Sequence, residues 1–223
     1  PLATVQGMPS MTTLQLRNLN IIWPSGFLGW VGWIALLALF LWAVRIVWTP
    51  TSLKNIRWGL LSAFVALTPF TTFLLVMRLS GSSVPLPNLP GEAAAPLLIF
   101  LFALPWVLAA GFLGVLPAVL VGLISGLILS LWGTHNLFTP LEIGGLALLF
   151  AVVVRQPYRT PFYRLLRQPV FAVLFVGGIF LPLFLLSSFF AVRGSVAVRM
   201  DYALSQSWLS YLARLGELGI AGI

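Results

Sequence analysis

Long apolar runs alternate with short polar breaks along this chain. The first run covers about 26–48 and holds Trp30, Trp33, Trp42 and Trp48. At about 1.5 Å per residue a helix of this length crosses a hydrocarbon core of about 30 Å. Trp23 and Trp48 suit its two interfaces. Thr49-Pro50-Thr51-Ser52 stops the helix and offers hydroxyl caps to the next one. A second run, about 58–79, carries Pro69 among Thr68, Thr71 and Thr72, which predicts a kinked helix whose threonines serve the freed carbonyls. Residues 80–93 form a Pro/Gly/Ser loop without Lys or Arg.

Residues 94–133 are continuously apolar, about twice what one crossing needs, and Pro117 follows Gly111 and Gly114 inside them. The expectation is a tight helical hairpin with arms at about 95–113 and 117–132. Its second arm contains Gly122 and Gly126 in a GxxxG pattern, which permits close helix contact and predicts packing within the bundle. Thr139, Pro140 and Glu142 fit the N-cap, N1 and N3 positions of a capping box, which accounts for Glu142. A fifth span follows at about 141–154 and a sixth at about 169–192. Beyond Arg193-Gly194 the pattern changes. Val198, Tyr202, Leu204, Trp208, Leu209, Leu212, Leu215 and Leu218 recur every three or four residues, as in an amphipathic helix. The predicted fold is therefore all-α and polytopic. An interfacial segment at 1–25 precedes a six-helix transmembrane bundle at 26–192, and an amphipathic C-terminal helix occupies 193–223.

Composition supports that class. Of 223 residues, 60% are hydrophobic and 7% charged, against roughly 25% charged in soluble domains. The formal charge of +8 arises from 12 Lys+Arg and 4 Asp+Glu. In a soluble chain it would suggest nucleic acid. Here the basic residues sit at the ends of apolar runs, where topology and anionic lipids account for them. With six spans, loops 49–57, 114–117 and 155–168 share one side and, with Arg45, hold seven of the twelve basic residues. By the positive-inside rule that side is cytoplasmic and both termini are extracytoplasmic, in a cell inner (cytoplasmic) membrane.

Chemistry-bearing residues are few. Cysteine is absent, which excludes thiolate nucleophiles and Cys-type metal sites, and His135 is the one histidine. His135 is the single candidate axial ligand for a pigment or haem, although its loop position suits an ordinary interfacial residue. No cofactor and no metal is expected. Ser125 lacks a base within its span, so no enzyme is expected. Arg155, Arg159, Arg164 and Arg167 form a basic aromatic loop suited to lipid or anion binding, with topology and anchoring as the simpler account. The loops at 80–93 and 133–140, with Pro69 and the hairpin, are the expected frame of a cavity for an apolar or amphipathic ligand.

Several segments carry a family resemblance. They are Pro85-Leu-Pro-Asn-Leu-Pro-Gly91, Gly111-Phe-Leu-Gly-Val-Leu-Pro-Ala118, Val121-Gly-Leu-Ile-Ser-Gly126, Thr139-Pro-Leu-Glu142 and Tyr163-Arg-Leu-Leu-Arg167. The stretch 84–169 that contains them resembles the N-terminal multispan sensory regions of bacterial membrane receptors. Its small-residue texture is also similar to that of the substrate-binding subunits of energy-coupling-factor vitamin transporters, which have six helices. The first resemblance implies a sensory or anchoring module for signal transduction, with an extracytoplasmic or signalling domain beyond it. A chain that opens on Pro1 and closes on Ile223 in helical sequence fits that expectation of a longer polypeptide. An accessory subunit of a photosynthetic or respiratory complex and a small-molecule transport component are the alternatives. The expected partners are membrane lipids and other membrane chains, or a second copy.

Overall fold

The computed structural model describes residues 21–24, 26–48, 57–79, 97–156, 160–192 and 194–222. The expected interfacial segment up to residue 20, the loop at 80–93 and Arg159 lie outside these residues. The architecture is nearly all helical. In chain order the elements are α1 (Gly26–Val47), α2 (Trp58–Phe73), β1 (Val76–Arg78), β2 (Leu97–Ile99), α3 (Leu104–Phe112), α4 (Val115–Leu129), α5 (Thr139–Arg155), α6 (Pro161–Leu166), α7 (Pro169–Ala191), α8 (Val196–Asp201) and α9 (Ser207–Gly222). π-helical turns at Ser130–Thr134 and Tyr202–Gln206 extend α4 and join α8 to α9. Among the described residues, three stretches are long and apolar enough to cross a membrane: Gly26–Val47, Val115–Thr134 and Val170–Ala191.

The expected second and third spans are shorter as helices. α2 ends at Phe73, the chain turns through Leu75 at φ 53°, and Val76–Arg78 pairs antiparallel with Leu97–Ile99. The helix expected from residue 95 therefore begins at Leu104. Pro105 explains the late start, because proline suits a first helical turn, where its missing N–H removes no bond. Within α2, Pro69 cannot donate to the Val65 carbonyl, and the Thr68 hydroxyl does so instead at 2.7 Å. Gly114, at φ +121°, separates α3 from α4 and makes the tight turn, a conformation that L side chains rarely adopt.

α4 and α5 are antiparallel and in the closest contact of the bundle. A Cβ on Gly122 would stand 2.7 Å from the Ala147 Cβ, and one on Gly126 would stand 2.8 Å from the Pro140 Cα. Gly144 faces back from α5 toward Leu123 and Phe40. Around this pair the core collects Phe102, Trp106, Leu129, Ile143, Leu146, Phe150 and Val176, all essentially without solvent contact. The chain alternates direction between two ends of the bundle. At one end Phe73 meets Trp132 with ring centroids 5.1 Å apart, and Gly32 meets Phe190. At the other the Arg155 guanidinium reaches the Ala110 carbonyl at 3.3 Å beside Gly114.

α9 lies between α7 and the β2–α3 segment. The Tyr211 hydroxyl donates to the Gly177 carbonyl at 2.8 Å, and Arg214 covers the Phe102 ring at 5.3 Å. Its charges turn inward: Arg214 and Glu217 are 7% and 1% exposed, whereas Leu204 in the preceding turn, Trp208, Leu212 and Ile220 face outward. Leu204, Trp208 and Leu212 are four residues apart and Ile220 is eight beyond Leu212, with Gly216 between, so they form one apolar stripe.

The α4–α5 contact yields a test. Gly126→Ala forces backbone apart and is expected to destabilise by about 1–3 kcal/mol, as overpacking does. Gly178→Ala on α7 meets open space and is expected to be neutral or stabilising, since alanine is the better helix former by about 1 kcal/mol. Thermal unfolding in nanodiscs reads both, and equal losses would contradict the close contact.

Candidate functional site

An apolar groove with about 90 Å³ of free space runs between α1, α5 and α7. Leu36, Leu39, Phe40 and Ala43 line it from α1. Phe138, Leu141, Gly145, Leu148 and Leu149 line it from the start of α5, and Phe180 and Leu183 from α7. Only two lining residues are hydrophilic, Glu142 and Ser187, and they touch. Glu142 is one turn into α5, and its position follows from Gly122 and Gly126, which draw the start of α5 onto α4. The Ser187 hydroxyl approaches the Glu142 Oε1 and, at 2.9 Å, the Phe184 carbonyl. Serine back-bonding to the carbonyl three residues before is an ordinary helical habit.

This geometry corrects the capping-box reading. α5 starts one residue earlier, with Thr139 inside the helix. The Thr139 hydroxyl is 2.7 Å from that of Thr134, and its N–H donates to the Asn136 carbonyl at 3.2 Å. The Glu142 carboxyl turns away from its own helix end to Ser187. The reason is steric and electrostatic together: α4 seals the inner face of α5 at Gly126, and the polar atom facing Glu142 is on α7.

A second polar group lies close by. The Glu217 Oε2 and Arg214 Nη1 are 2.7 Å apart, and Glu217 Oε1 accepts from the Ile99 N–H at 2.8 Å. β1 leaves that N–H free by pairing at the Leu97–Ile99 edge in the opposite direction, so α9 completes the strand's hydrogen bonding. Arg214 and Tyr202 are both within electrostatic range of Glu142. Two polar pairs, Glu142–Ser187 and Arg214–Glu217, therefore lie within electrostatic range of each other. Sequence reasoning missed Ser187, Arg214 and Glu217. The i,i+3 spacing of Arg214 and Glu217 was the available signal, because such residues share a helix face. Nothing in the local sequence marks Ser187, 45 residues from Glu142.

The residues singled out from the sequence are dispersed. His135 caps the π turn after α4 in the left-handed region at φ 50°, and its carbonyl accepts from the Ile22 N–H at 2.8 Å. It does not line the groove, and among the described residues no three His, Cys, Asp or Glu side chains gather as a metal set. Arg155, Arg164 and Arg167 are exposed at the end of the bundle that carries the α3–α4 turn, and the Arg167 Nη2 donates to the Gln156 carbonyl at 2.8 Å. Ser125 is buried on α4, and its hydroxyl has no partner among the described residues. Phe138 is the one residue of the 133–140 loop that lines the groove. The groove lies under α1, and the cavity expected between the loops at 80–93 and 133–140 involves residues outside the described ones. Comparison with known proteins finds no matching family model, no matching curated protein and no matching solved structure.

The buried pair generates a double-mutant cycle. Arg214→Met or Glu217→Leu alone leaves one charge buried without its partner and is expected to cost about 3–5 kcal/mol. The double variant is expected to cost less than the sum, retaining a loss for the unpaired Ile99 N–H. Strictly additive losses in thermal unfolding would contradict a coupled pair.

Proposed function

We propose that this chain is a non-catalytic, membrane-embedded binding module that serves as the sensory or anchoring part of a bacterial receptor. The observation that carries the reading is the groove under α1, which is apolar except for the Glu142–Ser187 pair. Small-molecule sites have this composition, a hydrophobic lining with a few placed polar groups. An acid inside a membrane bundle is costly to maintain and is therefore a functional-site candidate by default.

The position of the groove supports a sensory role. α1 is the least buried of the three membrane-length stretches: 11% of its apolar window is buried, against 50% for the α4 stretch and 39% for the α7 stretch. Its contacts with the bundle centre on Gly29, Gly32 and Leu36. A molecule held beneath α1 touches it directly and favours the α1 position that fits best, which is the requirement for coupling occupancy to a conformational change. Six crossings of an inner membrane, with the loops at 49–57, 114–117 and 155–168 cytoplasmic, are the topology we favour. The alternating chain direction and the collection of Arg155, Arg164 and Arg167 at one end support it. Lipid hydrocarbon covers the outward faces of α1 and α7 in this reading. An accessory role in a larger complex, or a part in small-molecule transport, would use the same groove without the α1 response.

The chain has no native cysteine, so spin labels can be placed cleanly. Cysteines replacing exposed Ile46 on α1 and Leu174 on α7 report the separation of the two helices. Saturating 1-hexanol is expected to shift that separation by about 1–2 Å, the scale of helix shifts in switching proteins. In Gly145→Leu, whose side chain fills the groove, no shift is expected. An unchanged separation with alcohol bound would contradict the sensory role, and an equal shift in both proteins would assign the change to the bilayer.

A further inference from the structure

We infer that the groove under α1 selects small cationic amphiphiles, molecules with a protonated amine head and a short apolar tail. The inference rests on the binding reading above and adds the class of ligand. Three observations support it. The first is the lining, which is hydrocarbon and aromatic carbon along α1, α5 and α7 apart from one carboxyl and one hydroxyl. An anionic or polyhydroxylated ligand would leave most of its polar atoms without partners there.

The second is the hydrogen-bond inventory at Glu142. Among the described residues its carboxyl has one hydrogen-bond partner, Ser187, and no ion pair within 4 Å. The guanidinium that acts on it, that of Arg214, is already committed to Glu217 at 2.7 Å. A carboxylate offers about four lone-pair sites, so it has capacity for a further donor. The serine cannot fill that capacity. Its single hydroxyl proton is shared between two acceptors in reach, Glu142 and the Phe184 carbonyl. A head group with several N–H donors supplies the missing bonds and the missing positive charge together, and charge-assisted bonds are the strong ones.

The third is size. About 90 Å³ of free space corresponds to roughly six to nine small heavy atoms, at about 10–15 Å³ each by the measure used for buried water. Gly145 lines that space, and a Cβ there would meet nothing within 4 Å, so a longer side chain at this position has room to enter it.

The test compares hexylammonium, 1-hexanol and hexanoate, which share a six-carbon chain, binding to the full chain in nanodiscs of zwitterionic lipid. Binding is read as saturable shifts in thermal midpoint against Gly145→Leu as the filled-groove reference. The expected result for the wild type is hexylammonium at least about tenfold tighter than hexanol, as a charged rather than neutral hydrogen bond implies, and no saturable hexanoate binding. In Glu142→Gln the amine is expected to lose that advantage while hexanol binding persists. Hexanol or hexanoate binding as tightly as the amine to the wild type would overturn the ligand class and leave the binding reading intact. No saturable, Gly145-dependent binding of any of the three would overturn both. The wild-type ranking decides the ligand class even where Glu142→Gln does not fold.

Discussion

The approach of α4 to α5 through glycine sets the rest of the bundle. Side chains on Gly122 or Gly126 would collide with Ala147 and with the backbone at Pro140. Between apolar helices in lipid there is no hydrophobic drive to associate, so close van der Waals contact is what holds them. That contact fixes the start of α5, and with it the face on which Glu142 projects. Gly144, on the opposite helix, extends the same economy of volume toward Phe40 of α1. The groove exists because α1 meets this centre through small residues at one end and leaves Gly145 uncovered at the other.

On α9 the buried charges are held by local pairing. Glu217 is satisfied by Arg214 and by the Ile99 N–H, so α9 is fixed by a charge pair and a strand edge together. Removing water from such a pair is costly, and good geometry with filled hydrogen bonds is the condition under which it persists. The apolar stripe of α9, Leu204, Trp208, Leu212 and Ile220, faces outward in turn. Charges inside and hydrocarbon outside is the arrangement suited to a lipid surround. Glu142 differs from Glu217 in having a single hydroxyl as its partner. It borders a space, whereas Glu217 borders packed protein.

The sequence made some of this visible and hid the rest for physical reasons. α1 and α7 are uniform apolar runs of membrane length, so their bounds were legible to within a few residues. The hairpin at Gly114 was legible from glycine and Pro117, and close approach at Gly122 and Gly126 from their spacing. The β1–β2 pairing was hidden because three-residue strands in a hydrophobic run have no period to detect; Pro105 was the local sign that a helix starts late. Glu142 was read as a cap because capping residues are local, whereas Ser187 is brought to it by the tertiary path of α7. The orientation of α9 was hidden for a related reason. An amphipathic pattern fixes which residues share a face, and the surroundings decide which face is buried.

Photoaffinity mapping tests the central claim, that Glu142 anchors a bound amphiphile beneath α1, most directly. The full chain in nanodiscs would be labelled with a short alkylammonium carrying a terminal diazirine and mapped by peptide mass spectrometry. Label concentrated on 36–43, 138–149 and 180–187, and competed away by unlabelled hexylammonium, is the predicted result. Label spread over the outward faces of α1, α7 and α9, insensitive to competitor, would contradict it.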